Sequence, residues 1–92
     1  MHETGIVRDL VHRLEHAARE AGAVRVSGVD IWLGALSQFS AGHFREHFDE
    51  AAHGSLAEGA IVRIEASTDA LHPQAQHVML QSFDLVVPDG SA

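Results

Sequence analysis

Between Thr4 and Ala21 the apolar residues Ile6, Val7, Leu10, Val11, Leu14, Ala17, Ala18 and Ala21 recur at helical spacing. At about 100° per residue they form one stripe, and Arg8, His12, Glu15, His16 and Arg19 fall on the other side. Gly22 follows the last periodic residue, where a left-handed cap is wanted. A one-sided stripe of this kind must lie on a second layer, which constrains the fold more than any other feature. From Val24 the period changes to two. Val24 and Val26 point one way; after Gly28 the apolar set is Val29, Ile31 and Leu33, slipped by one, which signals a bulge in a strand ending at Gly34. Ser40 can cap a second helix running to Ala52, with Phe44 and Phe48 on its apolar stripe and Gly54 closing it. Ala60, Val62, Ile64 and Ala66 alternate as a strand. Residues 67–77, with Pro73, read as a loop. Val78–Val87 read as a last strand with a phase slip near Gln81–Ser82. The expected fold is α+β: a small single domain over residues 1–92, two helices on a three-stranded sheet, order α-β-α-β-β. The last two strands are expected to be antiparallel, and residues 88–92 to form a frayed tail.

Composition narrows the function. The formal net charge is −7, from 13 acidic residues against six arginines and no lysine. That balance argues against a nucleic-acid partner. There is no cysteine, so disulfides, thiolate zinc sites and a cysteine nucleophile are excluded from these residues. Apolar runs are far shorter than the ~20 residues of a membrane span. The N-terminus shows no basic-then-apolar pattern, so the cytoplasm is the expected location. Histidine stands out, with eight in 92 residues. It is the commonest metal ligand.

Three groups of residues can bind metal. At Met1-His2-Glu3, the terminal amine, the His2 amide nitrogen and its imidazole Nδ1 can close two fused chelate rings. The Glu3 amide nitrogen can complete a plane of four nitrogens, a set that suits Ni(II) or Cu(II). The bulk of His2 favours retention of Met1. His43-Phe44-Arg45-Glu46-His47 matches the letters H-x-x-E-H of a zinc peptidase group. His43 and His47 lie four apart on a helix and can reach one ion. No third ligand stands near them, and the chain has little room for a peptide cleft. A solvated helix face is the reading taken, with His43 and His47 kept as secondary metal candidates. His12 and His16 share the same spacing on the polar face of the first helix. No Gly-rich phosphate loop and no acid–base pair is visible, so no enzyme activity is expected.

Met1-His2-Glu3, the strand end Trp32-Leu33-Gly34-Ala35-Leu36-Ser37 and the run Gly54-Ser55-Leu56-Ala57-Glu58-Gly59-Ala60 together resemble the HypA/HybF nickel-insertion proteins of hydrogenase maturation. Those open M-H-E, carry an I-G-E-L-S-like strand end and later a G-T-L-A-E-G-A-like segment. The resemblance covers about residues 1–66. It implies that His2 ligates nickel with the terminal backbone nitrogens and that Glu3 tunes the site. It also implies delivery of Ni(II) to the hydrogenase large subunit, or to another nickel enzyme such as urease, with a HypB-type GTPase as partner. The family's zinc ribbon, with two C-x-x-C pairs, has no counterpart, and no structural zinc is expected. The loop at 67–77 stands in its place. Val78–Val86 is then similar to the family's closing strand; an alternative sets Gln81-Ser82-Phe83-Asp84-Leu85 against a G-S-F-D-L stretch after the second C-x-x-C. A second functional reading is an interaction module that keeps the fold and partner binding without metal delivery.

Overall fold

The computed structural model describes residues 3–88. The elements are α1 (Glu3–Glu20), β1 (Arg25–Leu33), α2 (Ala41–Ala52), β2 (Ile61–Ala66) and β3 (Val78–Val86). This is the expected order. The end of α1 shows why Gly22 is needed. Its φ is +70°, Ala23 N–H donates to the Ala18 carbonyl at 2.8 Å, and Gly22 N–H donates to Arg19 at 3.0 Å. These two bonds are a Schellman cap, which satisfies carbonyls the helix would otherwise leave open. At the start of α2 the Ser40 hydroxyl accepts from His43 N–H at 3.1 Å.

Both helices lie on one sheet face. Val7, Leu10, Val11, Leu14 and Ala18 of α1 meet Phe44, Phe48 and Ala52 of α2 over Val26, Val29, Ile31 and Leu33 of β1. Phe44 and Phe48 are fully buried. Each contributes about 1.5–3 kcal/mol of burial, which holds a three-turn helix that would be marginal alone.

The strand order is β2-β1-β3. β1 pairs with β2 in parallel and with β3 antiparallel. The expected pairing of the last two strands is therefore corrected: β2 and β3 run in opposite directions but on opposite sides of β1. The connection β1-α2-β2 is a parallel crossover through a helix, which places β2 beside β1. β3 then takes the other edge. Both phase slips are present. Ser27 is the extra residue between the Val26–Leu85 and Gly28–Asp84 pairs, and Gln81 is the extra residue between Asp30–Ser82 and Ile31–Leu80. One bulge lies on each strand, so the register recovers and the core face stays continuous.

The segment 67–77 crosses the end of β1 as a strap. Ser67 N–H donates to the Leu33 carbonyl at 2.8 Å, Gly34 N–H to His77 at 2.9 Å and Leu36 N–H to Ala75 at 2.7 Å. Within the strap, Ala75 is buried. Trp32, on the sheet face away from the helices, is only 6% exposed, with the His72 ring 4.9 Å from its own. Sequence alternation placed Trp32 off the apolar set. The strap supplies the cover that buries it. Of the expected tail, Pro88 is exposed and residues 89–92 lie outside the described residues.

Candidate metal centre

Glu3 is the first residue of α1. Its amide nitrogen is among the first four N–H groups of the helix, which have no carbonyl partner within it. Met1 and His2 lie outside the described residues, so the geometry of the expected N-terminal chelate does too.

The second candidate pair is described. His43 and His47 stand one turn apart on α2, with their Nε2 atoms 2.9 Å apart and ring centroids 4.5 Å apart. Phe39 lies against both rings, at 5.9 Å from His43 and 6.3 Å from His47. It is itself buried and packs edge-on against Phe44 at 5.5 Å. The pair is thus seated on a core aromatic. The turn before α2 sets this up: Ser37 N–H donates to the Gly34 carbonyl, and Gln38 adopts φ +69°. A left-handed non-glycine residue costs roughly 1–2 kcal/mol, held here beside a potential site.

The pair also has a defined place relative to α1. His47 shares a cavity of about 210 Å³ with Arg8, Glu50 and Ala51. About two turns further along α1, Glu15 Oε2 accepts from Leu56 N–H at 3.0 Å, beyond the end of α2. The two helices therefore advance in the same sense. The start of α1 is level with the start of α2, where His43 stands.

The other candidates are not drawn together. His16 Nε2 faces Glu20 at 3.6 Å, and His12 is exposed. His53 Nδ1 meets Glu58 at 2.9 Å. His72 Nδ1 accepts from Gln74 N–H at 2.9 Å. Among the described residues there is no group of three or more His, Asp or Glu converging on one point. A groove of about 540 Å³ between α1 and β3 is lined by Gly5, Ile6, Asp9, Leu10, Arg13, Val78 and Leu80. Its one carboxylate, Asp9, is held by Arg13 at 3.0 Å. It offers no donor set for a metal.

Sequence reasoning missed a polar cluster on the sheet face away from the helices. Arg63 of β2 donates to Asp30 of β1 through Nε at 2.7 Å and to Asp84 of β3 at 2.7 Å. Ser82 donates to Asp30 Oδ2 at 2.6 Å. The Arg63 and Ser82 hydrogen bonds hold the Asp30 carboxyl down at about 2. The guanidinium of Arg63 is raised by its hydrogen bonds to Asp30 and Asp84. The cluster ties all three strands together. With its one cation bound by two carboxylates, it does structural work rather than chemistry.

Comparison with known proteins agrees with the fold and with the family resemblance. The family model described as hydrogenase/urease nickel incorporation, metallochaperone, hypA matches residues 1–75. The hydrogenase maturation factor HypA of Chlorobaculum tepidum is 37% identical over 65 residues, covering 71% of this chain and 58% of that protein. HybF of Salmonella typhimurium is 35% identical over 65 residues, with the same coverages of 71% and 58%. HypA of Roseiflexus is 42% identical over 65 residues, 53% of its length. The chain thus spans a little over half the length of these relatives. The solution structure of the Ni metallochaperone HypA from Helicobacter pylori superposes with a TM-score of 0.78 at 20% identity, over 95% of this chain and 99% of that one. The match spans residues 1–75, most of the chain, and the chain belongs to the HypA family of nickel-incorporation proteins.

Proposed function

We propose that this protein is a nickel-binding accessory factor for maturation of a nickel enzyme, with nickel–iron hydrogenase as the client. It is not itself an enzyme. The observation that supports this reading is the family match over residues 1–75, a span that includes Met1, His2 and Glu3. Ni(II) is the cargo. The terminal amine, the His2 and Glu3 amide nitrogens and the His2 imidazole would hold it in a plane of four nitrogens, with the Glu3 carboxylate adjusting the charge beside it. The Glu3 amide has no carbonyl acceptor within the helix, which leaves it available to give its proton to solvent as its nitrogen binds the metal. The helix N-terminus also favours the negative charge so formed. A terminal, open chelate suits hand-over better than a closed four-ligand cage. The partners of this reading are the hydrogenase large subunit, or another nickel enzyme, and a HypB-type GTPase. The location is the cytoplasm; no helix among the described residues is long and apolar enough to cross a membrane. The strap at 67–77 takes the place of the family's zinc ribbon, and with no cysteine in these residues no thiolate zinc site can be built from them.

Calorimetric titration of untagged protein with Ni(II), beside His2→Ala, tests the reading. About one tight equivalent lost in the variant is expected, and lost likewise when a residue is added before Met1, because the amine is then an amide. Unchanged tight binding in His2→Ala would overturn it. A second reading is a partner-binding module that keeps the fold without delivery. It predicts a pull-down with the GTPase that is indifferent to nickel and to His2.

A further inference from the structure

We infer that His43 and His47 form a second Ni(II) site, a bidentate imidazole pair at the start of α2, distinct from the N-terminal chelate. The argument is geometric. Metal–imidazole bonds are about 2.0–2.1 Å, so two nitrogens at a right angle on one ion stand about 2.9 Å apart, and at a tetrahedral angle about 3.3 Å apart. The Nε2 atoms of His43 and His47 are 2.9 Å apart. That bite fits adjacent corners of a square-planar or tetragonal ion, the preference of Ni(II) and Cu(II), and fits tetrahedral Zn(II) less well. In the metal-free protein the same approach is a hydrogen bond, one ring donating from Nε2 to the other. This bond holds both nitrogens converged.

Loading the site turns both rings and changes one tautomer. The donating ring shifts its proton from Nε2 to Nδ1, and both rings turn so that their Nε2 lone pairs meet on one ion, with no net proton released. Water completes the coordination. Phe39 restrains both rings from behind, so less rotamer freedom is lost on binding than by histidines on a bare helix face. The site is solvent-accessible, since His43 is exposed and His47 half-buried. It stands level with the start of α1, which begins at Glu3. The role inferred is a weaker holding site for nickel in transit. The pair itself does not depend on the N-terminal reading; only the transit role does.

The test uses untagged full-length protein and Ni(II) alone, in His2→Ala, His2→Ala/His43→Ala and His2→Ala/His47→Gln, with circular dichroism confirming that each is folded. His2→Ala should keep about one Ni(II) per chain, with affinity falling roughly tenfold or more in either double variant. Cu(II) bound to His2→Ala should show nitrogen superhyperfine coupling from the imidazole pair in its EPR spectrum, lost in the doubles. Residual binding that ignores His43 and His47 overturns the inference. So does a wild type with one equivalent weakened equally by His2→Ala and His47→Gln, which would put every donor on one ion. Failure of the N-terminal reading appears separately, as no difference between wild type and His2→Ala.

Discussion

Gly34→Ala is the sharpest probe of how the strap closes the fold. The added Cβ would lie 2.5 Å from the Ala75 carbonyl carbon and 2.8 Å from the Gln74 oxygen, and nearer still to the Ala75 oxygen. All three are backbone atoms, which cannot rotate away. Overpacking against a fixed neighbour costs about 1–3 kcal/mol. Moving the strap also breaks the Leu36 N–H bond to Ala75 at 2.7 Å, worth about 1 kcal/mol. Against this, replacing glycine restricts the unfolded chain and stabilises by about 0.4–1 kcal/mol. The steric side wins, leaving a net loss of about 1–3 kcal/mol. Urea unfolding followed by tryptophan emission measures this directly. Trp32 is the chain's single tryptophan and lies under the strap, so its native emission should shift red as well. A variant as stable as wild type, with unshifted native emission, would refute the account of the strap as a tightly seated cover.

Ser40→Ala removes the acceptor for His43 N–H and should cost about 1 kcal/mol in thermal or urea unfolding, with Ser40→Thr restoring most of it; a neutral Ser40→Ala would mean that the cap contributes nothing. Acid should weaken the sheet. The Asp30 carboxyl lies at about 2 in the folded chain against an ordinary 3.8, so the folded state holds fewer protons there and its contribution is complete above the higher value. It is lost as pH falls from about 4 towards 2. Asp30→Asn should flatten the dependence of stability on pH in that window, and a variant that tracks wild type through it would count against the cluster.

The local structure was legible because it is written in adjacent residues. Gly22 after the α1 stripe, Ser40 before Phe44, and the slips near Gly28 and Gln81–Ser82 each mark a feature that the fold contains. Strand neighbours were not legible in the same way. Alternation tells which face a side chain takes, not which strand lies beside it, and the helix between β1 and β2 was the overlooked clue to their parallel pairing. Trp32 does lie off the core face, as alternation implies, but its burial was not legible, because the His72 ring that covers it comes from about forty residues away in a segment without periodicity. The Asp30–Arg63–Asp84 cluster joins three strands and has no local signature at all. His43 and His47 fall between these cases. Their spacing is visible in the sequence, while their convergence on Phe39 is a property of the turn at Gln38.

The two ends of the strap carry a consequence for how chains of this kind can lengthen. Ala66 and Val78 both stand opposite Leu33, on either side of β1. Two strand spacings, roughly 9–10 Å, therefore separate the points where the chain leaves β2 and enters β3. A gap that narrow is spanned as readily by a long excursion as by a short one, since each doubling of a flexible loop costs only about 0.6 kcal/mol in closure entropy. The sheet thus has a docking port in its topology: chain can be inserted or removed there while every strand keeps its register and both helices their seat.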